Sequence, residues 1–167
     1  EKAVAGAAIV FHCAYDPGNP ISNVKGAKAI VDACVKHRVR LVHVSTISVY
    51  EPLRDGNLDE NCPTVRAGLP YSENKLDVEE IVLQAVCNRG LDAVVVMPTI
   101  VYGPFCKPWT LSPAKQISSG TVVLPENGEG FCNAVHVDDV CQGMLRAAQT
   151  PHARGRKYFL SGAEVVT

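Results

Sequence analysis

Residues 40–47 read RLVHVSTI, an almost unbroken apolar run that ends in hydroxyls. A strand of this character is covered on both faces, as strands inside a parallel sheet are. Two other runs match it: AAIVFHCA at 7–14 and DAVVVMP at 92–98. The segments between them have helical period. From Ser22 to His37, Val24, Ala27, Val31 and Cys34 share one side, while Lys25, Lys28, Asp32 and Lys36 face water. A second helix opens at Pro70, runs to about Cys87 and is stopped by Gly90. Strand, helix, strand, helix, strand predicts an α/β fold with a parallel sheet and right-handed crossovers.

Beyond Pro98 the pattern loosens. A short helix is expected over Leu111–Ser119 and a short strand over Val122–Leu124. A further helix runs to about Gln149, with Asp138 or Asp139 as its N-cap, and a last strand covers Lys157–Leu160. Residues 51–69 read as a polar loop.

The 167 residues suffice for one domain with a proper core. A net charge of −1 gives no electrostatic case for nucleic acid or for an anionic membrane. No apolar run reaches membrane-spanning length. The seven cysteines contain no Cys-x-x-Cys, so neither zinc nor a disulfide frame is expected, and the reading is a reduced, cytoplasmic protein.

The chemistry gathers on the second helix. Tyr71, Lys75, Val78, Val82 and Ala85 fall on one side; Glu73, Asp77, Glu80 and Gln84 fall on the other. A lysine on the core-facing stripe is costly unless it has a partner or lines a cleft. A phenol titrates near ~10 and can act as a base only if its anion is stabilised, which a neighbouring ammonium does. Ligands of parallel sheets gather at the carboxyl ends of strands, where Ala14, Thr46 and Pro98 stand. Thr46 could there hold a substrate oxygen while Tyr71 moves the proton. His12 and His43, inside apolar strands, read as core histidines. His136 with Asp138 and Asp139 imitates a metal cluster but reads as a helix start, so no metal site is assigned. Trp109 is a candidate pocket residue or a core residue.

Six motifs occur in order: VFHCA at 10–14, Asn23-Val24-Lys25-Gly26, VHVSTISVY at 42–50, YSENK at 71–75, MPTIVYGP at 97–104 and NAVHVDDV at 133–140. Together they resemble the NAD-dependent epimerase/dehydratase family of the extended short-chain dehydrogenase/reductase superfamily. The resemblance implies a Rossmann-like sheet and hydride transfer between a substrate carbinol or ketone carbon and NAD or NADP. It casts Thr46, Tyr71 and Lys75 as the catalytic group. It assigns Cys13, Ala14, Tyr15, Asn23, Val44, Tyr71, Lys75, Pro98, Thr99 and Val101 to the cofactor. A small-molecule substrate and a possible homodimer follow; a cofactor-binding, non-catalytic scaffold or regulatory member is the alternative.

Two departures stand out. The family's Gly-rich phosphate turn is missing, since Gly128-Glu129-Gly130 lies in a loop of the wrong context. The chain is therefore expected to be a single partial domain, with residues 100–135 on the substrate side, an unpaired first strand and little activity by itself. Ile100 stands where sugar-nucleotide epimerases usually carry Asn. With Met97, it points to a less polar substrate, such as a hydroxysteroid-like or flavonoid-like alcohol or ketone.

Overall fold

A computed structural model of the chain describes residues 1–50, 58–122, 128, 130 and 132–163. Three parallel strands form its middle: β1 (Ile9–His12), β2 (Arg40–Val44) and β3 (Ala93–Pro98). They pair β1-β2-β3, and β6 (Lys157–Leu160) adds on the far side of β3, all parallel. Helices α1 (Pro20–His37) and α2 (Pro70–Arg89) pack together on one face, and α4 (Val137–Gln149) covers the other. The expected α/β layering with a parallel Rossmann-like sheet is what forms.

β3 shows why the sheet holds. Every residue from Ala93 to Pro98 is buried, and alternate side chains serve opposite layers. Ala93, Val95 and Met97 join the core under α1 and α2, whereas Val94 and Val96 join the core under α4. Met97 is thus core, which removes it from the argument about substrate polarity. β1 departs from its expected double cover: Phe11 is 40% exposed and Ile9 and Val10 are only half-buried. Among the described residues it is an edge strand, so one flank of its side chains lacks neighbours.

The helix ends refine the sequence boundaries. α1 starts at Pro20, two residues early, because the Asn19 side chain accepts the Ser22 amide. α2 starts at Pro70 without a capping side chain on Leu69. Instead, Glu73 in its first turn accepts the amide of Gly68. Gly90, at φ 71°, ends it in the left-handed conformation. α4 is capped by neither expected aspartate: His136 is the cap, its Nδ1 accepting the Asp138 amide at 3.3 Å. Asp138 and Asp139 sit in the first turn, where their charge favours the helix dipole.

After Pro98 the chain makes a second, two-stranded parallel sheet that its sequence did not announce. β4 (Ile100–Tyr102) pairs with β5 (Ala134–His136). A π turn (Lys107–Leu111) leads into α3 (Ser112–Ser118), close to the expected short helix. Most of the strand expected at Val122–Leu124 lies outside the described residues. Gly143 lets α4 lie close to β6, since a Cβ there would stand 2.7 Å from Leu160 Cδ2.

Candidate active site

The parallel register brings the strand ends to one edge. Cys13, Ala14 and Tyr15 follow β1, Ser45 and Thr46 follow β2, and Thr99 follows β3. The N-terminus of α2 reaches the same edge, because Lys75 Nζ donates to the Val44 carbonyl at 3.1 Å.

Lys75 is buried to 7% exposure, on the core-facing stripe that its spacing predicts. Burial pulls its pKa below the ordinary lysine value, and Cys13 partly opposes this. No carboxylate pairs with it among the described residues. Its contacts are the Val44 carbonyl and the face of Tyr15, 5.0 Å from the ring centroid. An ammonium has three donors, so two remain for a ligand such as a ribose hydroxyl.

Tyr71 stays 43% exposed at the helix start, and its ring meets Tyr15 edge-on at 5.2 Å. Tyr15 therefore touches both Tyr71 and Lys75. Burial raises the Tyr15 phenol's pKa, helped by Tyr71 and Asp16.

Thr46 is buried where β2 gives way to a tight turn at Ile47–Val49, against which α2 packs. Its Oγ1 accepts the Ser48 amide at 3.2 Å and donates to Ser48 Oγ at 3.3 Å.

The other expected cofactor residues divide. Asn23 Oδ1 accepts the Asp16 amide at 2.8 Å. Its Nδ2 donates to the Asp16 carbonyl at 2.9 Å and to Asn74 Oδ1 at 2.7 Å. Asn23 thus clamps the loop after β1 onto α2. Val44 and Val101 pack toward the α4 side of the sheet. Pro98 is buried at the end of β3, and Thr99 bonds to the Leu160 carbonyl through both its amide and its hydroxyl. Burial raises the Cys13 thiol's pKa, an effect that Lys75 offsets.

His12 and His43, cross-strand partners on β1 and β2, are core residues with an unexpected bond. Their Nδ1 atoms lie 3.1 Å apart and their rings stack at 5.2 Å. A small pocket beside them is also lined by Tyr15, Asn23, Asn74 and Lys75. Burial lowers both imidazoles, and His43, where His12 and Lys75 add to the effect, falls to about 3. The pair is neutral, one ring donating to the other. His136, assigned above to the α4 cap, lies 3.6 Å from Asp138. Trp109 is 53% exposed in the π turn and is no core residue.

Glu79 escaped the sequence reading. It is 1% exposed, four residues after Lys75 on the same face. Ser45 Oγ donates to its Oε2 at 2.6 Å, and Lys157 of β6 lies 3.4 Å from its Oε1. Lys157 also donates to Tyr50 OH at 2.6 Å. Burial depresses the Lys157 pKa, but the Tyr50 bond and the Glu79 charge outweigh it, so the net shift is upward. The i,i+4 spacing from a core-facing lysine was the available signal.

The family model of the NAD-dependent epimerase/dehydratase family matches residues 3–160. The chain belongs to that family. A dTDP-glucose 4,6-dehydratase of Streptomyces niveus is 32% identical over 151 residues, covering 87% of this chain and 44% of the relative. A 4-hydroxy-2-methyl-3-oxo-4-farnesyl-3,4-dihydroquinoline-1-oxide ketoreductase of Stigmatella aurantiaca is 31% identical, covering 99% of this chain and 52% of the relative. Among solved structures, a dTDP-glucose 4,6-dehydratase of Bacillus anthracis in complex with NAD superposes with a TM-score of 0.83 at 25% identity, covering 95% of this chain and 52% of that one. The chain spans about half the length of the curated relatives it matches. The family is NAD-dependent. Among the described residues, no helix is long and apolar enough to cross a membrane.

Proposed function

We propose that the protein carrying this chain is an NAD(P)-dependent oxidoreductase or epimerase acting at a carbinol or ketone carbon, with Tyr71 as its acid/base. The observation that carries this reading is Lys75: a buried ammonium with no carboxylate partner among the described residues, sharing the Tyr15 ring with an accessible Tyr71. A nicotinamide cofactor supplies the hydride acceptor or donor. Lys75 would hold the ribose end while Tyr71 takes the substrate proton. Thr46 would fix the substrate oxygen, Cys13, Ala14 and Tyr15 would contact the cofactor from the end of β1, and Pro98, Thr99 and Val101 would border the nicotinamide. The described residues within 100–135 would contribute to the substrate side. Ile100, two positions beyond Pro98, supports a substrate less polar than a sugar nucleotide.

Positioned acid/base groups contribute about 100- to 10,000-fold. Tyr71→Phe in the full-length protein should therefore lower turnover by at least about 100-fold. The assay is NAD(P)H absorbance across a panel of ketones and sugar nucleotides. Turnover by Tyr71→Phe close to wild type would refute the assignment. Cofactor binding with no turnover of any panel member by wild type would favour a scaffold role.

A further inference from the structure

We infer that the buried Glu79–Lys157 pair is a positioning clamp that fixes the Thr46 turn against the helix carrying Tyr71 and Lys75. This rests on the reading of Thr46 as the substrate-binding hydroxyl.

The turn is gripped on both sides. Before Thr46, Ser45 Oγ donates to Glu79 at 2.6 Å, and the Ser45 amide donates to the Val96 carbonyl at 2.8 Å. After it, Tyr50 OH accepts from Lys157 at 2.6 Å, with Lys157 Nζ 4.9 Å from the Tyr50 ring centroid. Lys157 lies 3.4 Å from the other oxygen of the same carboxylate. One ion pair therefore joins both flanks of the turn. Its acid belongs to α2, and its base belongs to β6.

α2 in fact holds the end of β2 at two successive residues. Lys75 binds the Val44 carbonyl, and one helical turn later Glu79 binds the Ser45 hydroxyl. Any shift of α2 along the sheet must break both bonds or carry Thr46 with it. A hydrophobic pair of similar volume would fill the space at no loss of stability, so burial alone does not call for a charge pair here. What the charges add is direction: a carboxylate accepts from a hydroxyl at one fixed place.

Neither residue needs to touch a substrate, and the clamp can be tested without one. Hydrogen–deuterium exchange is followed at the amides of Ser48, Tyr50 and Val65, which bond to Thr46 Oγ1, the Ile47 carbonyl and the Val49 carbonyl. In the full-length protein, Ser45→Ala, a mild change, should raise exchange at these amides at least tenfold and leave α4 and β1 unchanged. Glu79→Ala should do the same more strongly. Glu79→Gln combined with Lys157→Met keeps an oxygen for Ser45 and leaves no stranded charge, but it frees Tyr50, so exchange should stay raised at Tyr50 and Val65. Unchanged exchange in Ser45→Ala, or a rise spread evenly over the sheet, would overturn the clamp. So would wild-type protection at Tyr50 in the double variant. Thr46→Ala in the turnover assay tests the underlying reading separately: wild-type turnover there would remove the catalytic meaning of the turn and leave the exchange result intact.

Discussion

Lys75 and Glu79 stand one turn apart on the same face of α2, both inside the protein, and they are treated in opposite ways. Glu79 is closed: a hydroxyl on one oxygen, an ammonium near the other. Lys75 is open, with a carbonyl, an aromatic face and spare donors. A buried charge that is fully answered belongs to the architecture. One left partly unanswered at a strand-end cleft costs stability, and a fold keeps it where a ligand completes it.

The largest effect should come from breaking the closed charge. Removing one partner of a buried pair costs about 3–5 kcal/mol, because it strands the other charge. Glu79→Ala and Lys157→Met should each lose this much in urea unfolding, while Glu79→Gln with Lys157→Met recovers most of it. Additive losses in the double variant would mean that the two side chains are not coupled.

The histidine pair gives the next effect. His43 holds its proton less tightly in the folded state, about 3 against 6.5, so below pH 6.5 the unfolded chain binds more protons. Stability then falls as pH falls, and His43 accounts for about 3 kcal/mol of loss between pH 7 and pH 4. His43→Phe should flatten this acid limb. An equally steep limb in that variant would show that the pair is not its source.

The smallest effect has the same pH direction, but its mutation is expected to cost nothing. Because burial lowers the Lys75 pKa, its charged form disfavours the fold below that pKa, and the cost is relieved as pH rises toward 10.5. Lys75→Met should leave stability unchanged or raise it by about 1 kcal/mol.

What could be read from the sequence followed periodicity. The apolar runs gave the three central strands, and the helical stripe put Lys75 inside, where it is. The β4–β5 sheet was not legible, because two three-residue strands more than thirty positions apart have no period to show. The α4 cap went to His136 because an imidazole nitrogen can accept an amide as a carboxylate does, while caps are sought among Ser, Thr, Asp and Asn. Glu79 lay hidden because its answering charge, Lys157, is on β6, 78 residues away (157 − 79). The candidate site residues at the strand ends were named through motif order. Motif order named Asn23 but could not show its bonds to Asp16 and Asn74.

The most direct test sets Lys75→Met beside Lys157→Met in the full-length protein, measuring urea stability and NADH affinity for each. If Lys75 is the open charge, its variant keeps or gains stability and loses at least about tenfold in NADH affinity, equivalent to 1.4 kcal/mol. The Lys157 variant shows the reverse emphasis, with stability lost first. A Lys75→Met protein that binds NADH like wild type and is as destabilised as Lys157→Met would contradict the account.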